Sequence, residues 1–206
     1  MIKAIFFDLG GVLINLDRSA CIRHFKDDLG FERINDFIDN CHHKGYVMDF
    51  EEGLLSEKEF YDMTRQYCRP AVQDKEIAEA FATLTPSIDH DKIVLLNELK
   101  GKYSLFLLSN INPISKRVCR ELFLNDGIEW NDTFADIFMS FEMKMIKPGK
   151  AIFNESVRRS GFQADEILFI DDSQANVDAA ISCGLNAVYY ERGTSLRATI
   201  SHILGL

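Results

Sequence analysis

Asp8 closes the apolar run Ile5-Phe6-Phe7 and is followed by Leu9-Gly10-Gly11. A carboxylate at the end of a strand, beside amides that glycines leave open, suits an anion bound together with a metal. The same Asp-x-Gly pattern also suits a plain turn. Asp171 and Asp172 end a second apolar run, Ile167-Leu168-Phe169-Ile170, ahead of Ser173 and Asn176. Adjacent acids in a dry cleft repel one another unless a cation or a proton intervenes, and hard oxygen ligands favour Mg²⁺. An N-cap by Asp172 or Ser173 fits that spacing too. Ser109-Asn110 ends Leu105-Phe106-Leu107-Leu108 and offers a hydroxyl and an amide able to hydrogen-bond phosphate oxygens. Lys147-Pro148 adds a point charge able to neutralise them, with Lys144 three residues earlier as its competitor for that task. Each stretch alone has an ordinary structural reading; the order acid, hydroxyl-amide, lysine, acid pair is what points to chemistry.

The elements that must position these residues alternate strand with helix. Apolar runs at 2–7, 103–108, 137–139, 167–170 and 187–190 predict buried strands. Helical patterns lie between them at 91–99, 113–124, 150–159 and 174–183, the last two stopped by Gly161 and Gly184. Such alternation implies right-handed crossovers and a parallel sheet covered on both faces, a three-layer α/β core of Rossmann-like type. Residues 16–85 break the rhythm with helical patterns at 20–29, 34–42 and 56–68, where Ser56 and Glu59 resemble a capping box. They predict an all-helical insertion after the first strand, leaving 1–15 and 86–206 as the core. Chain continuity sets that insertion above the carboxyl edge of the sheet, where open α/β sheets bind ligands.

Composition narrows the partners. The 206 residues are 47 % hydrophobic and 27 % charged, enough for a packed core. A net charge of −9 argues against a surface that follows a nucleic-acid backbone, while leaving room for a small phosphate in a cleft. Five scattered cysteines, odd in number and without C-x-x-C, predict reduced thiols in the cytoplasm rather than a disulfide framework or a zinc knuckle. The run from Met1 to Phe7 lacks a basic leader, and no stretch near 18 apolar residues follows, so the expectation is neither secretion nor membrane insertion.

In Phe7-Asp8-Leu9-Gly10-Gly11-Val12-Leu13, Leu108-Ser109-Asn110, Lys147-Pro148 and Ile170-Asp171-Asp172-Ser173 the chain resembles the haloacid dehalogenase-like phosphohydrolases along nearly its whole length. Within that superfamily the Asp-Leu-Gly start and the stretch from Phe50 to Phe60 resemble sugar-phosphate phosphatases of the α-glucose-1-phosphatase type and the phosphatase domain of soluble epoxide hydrolases. The resemblance implies that Asp8 is a nucleophile accepting the phosphoryl group, that Ser109, Asn110 and Lys147 hold that group, and that the helical insertion is a cap. It also implies a Mg²⁺ site made by Asp8, the Gly10 carbonyl and Asp172, with Asp171 supporting the metal shell. A small phosphorylated metabolite is the implied substrate.

One position departs from the resemblance. Family phosphatases usually carry a second aspartate two residues after the nucleophile, as general acid and then base; here Gly10 stands there. Such a group is worth about 10²–10⁴ in rate, or roughly 3–5 kcal/mol. A phosphatase with another proton source, a phosphonate hydrolase using Lys44 as an imine-forming amine, and a phosphate-binding module without turnover are the three readings. Dehalogenase chemistry needs no metal and does not account for the acid pair. Tyr46 and Phe50 read as packing residues, and at most one of the adjacent His42 and His43 reaches the cleft.

Overall fold

The computed structural model describes residues 1–38 and 43–205. Among these residues seven strands form: β1 (Ala4–Phe7), β2 (Ile14–Asn15), β3 (Ser87–Ile88), β4 (Ser104–Ser109), β5 (Asp136–Met139), β6 (Ile167–Asp171) and β7 (Asn186–Tyr189). Five of them make one parallel sheet in the order β5-β4-β1-β6-β7. The apolar runs locate them because a strand buried on both faces carries hydrophobic side chains at every position.

Period-two alternation sends β1 side chains to two separate cores. Ile5 and Phe7 pack with α5 (His90–Lys100), α6 (Pro113–Asn125) and α11 (Leu196–Leu204). Ala4 and Phe6 pack on the opposite face with α9 (Lys150–Ser160) and α10 (Gln174–Ser182). The result is the expected three-layer α/β core. Gly161, at φ 77°, ends α9 in the left-handed conformation that lets a helix stop sharply.

Between β2 and β3 the chain forms α1 (Arg18–Arg23), α2 (Tyr46–Glu51), α3 (Glu57–Arg65) and α4 (Asp74–Ala82). The Ser56–Glu59 capping box is present at the start of α3. A third apolar cluster, including Phe25, Phe31, Phe50, Phe60 and Phe81, joins these helices, with Phe50 stacked on Phe60 at 4.2 Å. Ile114 of α6 enters the same cluster, so the helical segment rests on one core helix.

Three expectations need correction here. The continuous helix at 20–29 is instead α1 followed by a π-helical turn, His24–Asp28. The helix at 34–42 shrinks to a 3₁₀ turn, Glu32–Asp36; Asn35 and Asp36 are short polar residues that compete with helical hydrogen bonds. Ile38 then bridges to His43, and 39–42, with Cys41 and His42, lie outside the described residues. The segment also meets the core through antiparallel β2 and β3, where Ile14 faces Ile88 and Asn15 faces Ser87. Two residues per strand leave no periodic signal to read. Among the described residues, no helix is long and apolar enough to cross a membrane.

Candidate active site

Strand register brings the predicted residues to one edge. Phe7 pairs with Leu107 on one side and Ile170 on the other, so Asp8, Leu108 and Asp171 follow at one level. The Asp8 amide donates to the Ile170 carbonyl at 2.9 Å, extending the ladder by one residue. The Leu9 amide donates to Asp8 Oδ1 at 2.7 Å and fixes that carboxylate at the strand exit.

Lys147, not Lys144, completes the cluster. Lys144 is exposed and in a left-handed conformation, φ 53°, whereas Lys147 is buried. The Lys147 Nζ lies 2.9 Å from Asp8 Oδ1 and donates to Asp171 Oδ2 at 2.6 Å and to the Leu108 carbonyl at 2.9 Å. Three donors thus meet three acceptors, and a buried cation stands between two buried carboxylates. Burial pushes the Asp8 carboxyl up to about 7; Lys147 pulls it down, while Asp171 and Asp172 reinforce the rise. Burial works to lower the Lys147 ammonium, yet Asp171 and Asp8 outweigh it and hold it above its ordinary value. Lys147 is therefore a permanent cation in this site.

Asn110 faces elsewhere than expected. Its Nδ2 donates to the Lys147 carbonyl and its Oδ1 accepts from the Lys147 amide, both at 2.9 Å. The side chain is committed to clamping the Lys147 loop, because that irregular segment has no ladder to satisfy its backbone groups. Ser109, at the end of β4, is buried and borders the cleft. Asp171 is held by the Ser173 amide at 2.8 Å and by Asn176 Nδ2 at 3.0 Å.

Asp8, Asp171 and Asp172 each present an oxygen, and the three oxygens lie within 4.8 Å of one another. An all-carboxylate donor set of this size fits a hard cation such as Mg²⁺. Asp172 also pairs with Arg192, a residue the sequence reading missed although it follows β7 by three positions, in the same strand-end pattern as the others. Gly11 sits at φ 88°, and a Cβ there would lie 2.0 Å from Asp172 Oδ2, so only glycine lets the acid approach. Gly10 has ordinary backbone angles, with Leu16 Cδ2 3.3 Å from the position of a Cβ.

These residues form the floor of a cleft of about 1080 Å³. Its wall includes Arg18, His43, Lys44, Met48 and Glu51 from the helical segment. His43 and Glu51 are a buried pair, Nδ1 to Oε1 2.8 Å, which the sequence offered no periodic cue to detect.

Known proteins resemble the chain along most of its length. A profile described as haloacid dehalogenase-like hydrolase matches residues 2–184. The chain is 29 % identical to a D-ribitol-5-phosphate phosphatase of Bacteroides thetaiotaomicron, over 99 % of both chains. It resembles a crystal structure of a haloacid dehalogenase family enzyme from the same organism, a single-residue variant in complex with magnesium and inorganic phosphate. The TM-score is 0.91, with 36 % identity and 99 % of each chain covered. A predicted hydrolase of this family from Porphyromonas gingivalis superposes with TM-score 0.90 at 34 % identity, over 99 % of this chain and 98 % of that one.

Proposed function

The chain belongs to the haloacid dehalogenase-like hydrolases, and we propose that it is a Mg²⁺-dependent phosphomonoesterase acting on a small sugar or polyol phosphate. The observation that carries this reading is the cluster at the floor: Lys147 lies 2.9 Å from Asp8, and oxygens of Asp8, Asp171 and Asp172 lie within 4.8 Å of one another. Similarity to a D-ribitol-5-phosphate phosphatase supports a polyhydroxylated substrate. Residues 16–85 serve as a cap over the core of 1–15 and 86–206. The free thiols Cys21, Cys68, Cys119 and Cys183 support a reducing, cytoplasmic setting.

Asp8 attacks phosphorus in line, the bond to the leaving oxygen breaks, and an aspartyl-phosphate forms; water then cleaves it. A carboxylate approaching a phosphate dianion needs compensating charge. Lys147 supplies part of it, exchanging its contact with Asp8 for a phosphoryl oxygen while Asp171 and Leu108 keep the ammonium in place. Ser109 donates its hydroxyl to the same group. Asp8, Asp172 and the Gly10 carbonyl hold Mg²⁺, with Asp171 in support; when bound, the ion adds the remaining positive charge. Asn110 keeps Lys147 on station rather than touching phosphate.

Lys44 stands exposed on the cleft wall, without the apolar enclosure that makes an amine nucleophilic, which argues against the imine route of a phosphonate hydrolase. Phosphate release from p-nitrophenyl phosphate and a panel of sugar and polyol phosphates, with Mg²⁺ and with chelator, tests the reading. Mg²⁺-dependent release is expected. Tight phosphate binding without release from any ester would identify a binding module instead.

A further inference from the structure

We propose that the Glu51–His43 pair on the cleft wall moves the proton for which position 10 has no side chain. The inference rests on the phosphatase reading above. Four carboxylates border the cleft: those of Asp8, Asp172, Glu191 and Glu51. Asp8 is the nucleophile, Asp172 is tied to Arg192, and Glu191 is exposed beyond β7. Lys147 spends its three donors on the floor. Cys119 also borders the cleft, but burial pushes its thiol up to about 12. Among the carboxyls of the described residues, the one left is that of Glu51, on the cleft wall beside the His43 imidazole.

The pair is held in place from several sides. Glu51 Oε1 lies 2.8 Å from His43 Nδ1, and the two side chains are 12 % and 6 % exposed. The Glu51 carbonyl accepts from Ser140 Oγ at 2.6 Å. The same hydroxyl accepts from the Ile111 amide at 2.9 Å, and Ile111 lies two residues past Ser109. The Glu51 backbone is thereby fastened to the loop that follows Ser109. The His43 ring meets Phe81 edge-on at 5.9 Å; among the described residues neither buried ring nitrogen makes a well-directed hydrogen bond, and Nδ1 has the Glu51 carboxylate beside it as its charged contact. Arg18 and Lys44 are the cations on this wall.

The proton moves in two stages. As the Asp8 oxygen bonds to phosphorus and the ester P–O bond breaks, the leaving oxygen takes a proton from the Glu51 carboxyl, and His43 Nδ1 returns one to Glu51. The pair is then one proton short. It recovers that proton from the water whose oxygen attacks phosphorus as the bond to Asp8 breaks, so acid becomes base. Glu51 is the catalytic residue and His43 its positioning residue.

Initial rates of the full chain with Mg²⁺, on monoesters ranging from p-nitrophenyl to simple alkyl phosphates, test the idea. Glu51→Gln should lower kcat a few-fold for the good leaving group and about 10²-fold or more for alkyl esters, with KM little changed. His43→Gln should show the same slope more weakly. A loss equal across the series, or one confined to KM as a hydroxyl-binding role would give, overturns the assignment. Glu51→Asp, which keeps a carboxyl on the wall, is a second check: it should retain at least about tenfold more alkyl ester turnover than Glu51→Gln, and equal losses in the two variants overturn the assignment. No release from any ester by the unaltered chain would sink the phosphatase reading itself.

Discussion

On the floor of the cleft, Asp8 and Asp171 sit where strands end and Lys147 in a clamped loop, each buried and each bound to at least one of the others. On its wall, His43, Lys44 and Glu51 hang from a helical segment whose apolar cluster rests on one core helix. The floor is set by backbone register: a one-residue slip of β1 against β6 would carry Asp8 away from Asp171. The wall depends on side-chain packing and on a few polar ties such as Ser140 to Glu51. The attacking carboxylate and its cation need the first kind of construction, because small misplacements are costly to rate. A wall that must admit substrate and still bring a proton to the leaving oxygen works with the second.

Changes on the floor should therefore be severe and changes at the wall's supports mild. Asp8→Asn should remove turnover by at least about 10³-fold, read as phosphate release, while thermal unfolding stays cooperative. Lys147→Met leaves two carboxylates facing each other without their cation; it should cost about 3–5 kcal/mol in a denaturant titration. Gly11→Ala places a methyl group against Asp172 at positive φ and should cost about 1–3 kcal/mol. Calorimetric Mg²⁺ titration of that variant should show weakened binding.

The smallest effect belongs to the clamp between α3 and α6, where Arg117 donates to both Glu57 oxygens at 2.9 and 2.6 Å. Arg117→Ala should cost only about 0.2–1 kcal/mol, because the arginine is more than half exposed. Hydrogen bonds from Arg117 and Tyr61 hold the Glu57 carboxyl below its ordinary value, despite burial. The clamp is thus fully formed above the usual glutamate range and is lost as pH falls through the lowered value. Hydrogen exchange in α3 should rise on acidification more in the unaltered chain than in Arg117→Ala. A stability loss at the clamp as large as that of Lys147→Met would erase the distinction between floor and wall.

The sheet and the floor were legible because both depend on local patterns: apolar runs for buried strands, acids and hydroxyl at or just past their ends, and a lysine before a proline in the loop after β5. Asn110 reads two ways because an amide at a strand end fits phosphate and a loop backbone equally well; its hydrogen bonds to the Lys147 backbone appear only once the loop is in place. Arg192 was overlooked although it follows β7 by three residues, since a lone arginine after a strand has no distinguishing neighbour. The 3₁₀ turn, the π-helical turn and the two-residue strands β2 and β3 are too short for periodicity to register. His43 and Glu51 are eight positions apart and meet through the packing of the helical segment, which no spacing rule expresses.

The central claim is that Asp8 receives the phosphoryl group. Acid quenching of the enzyme during turnover of a good substrate with Mg²⁺, followed by peptide mass spectrometry, locates the adduct. The account predicts a phosphoryl group on the peptide containing Asp8, absent from Asp8→Asn. A phosphoryl group on any other residue, or turnover retained by Asp8→Asn, would contradict it.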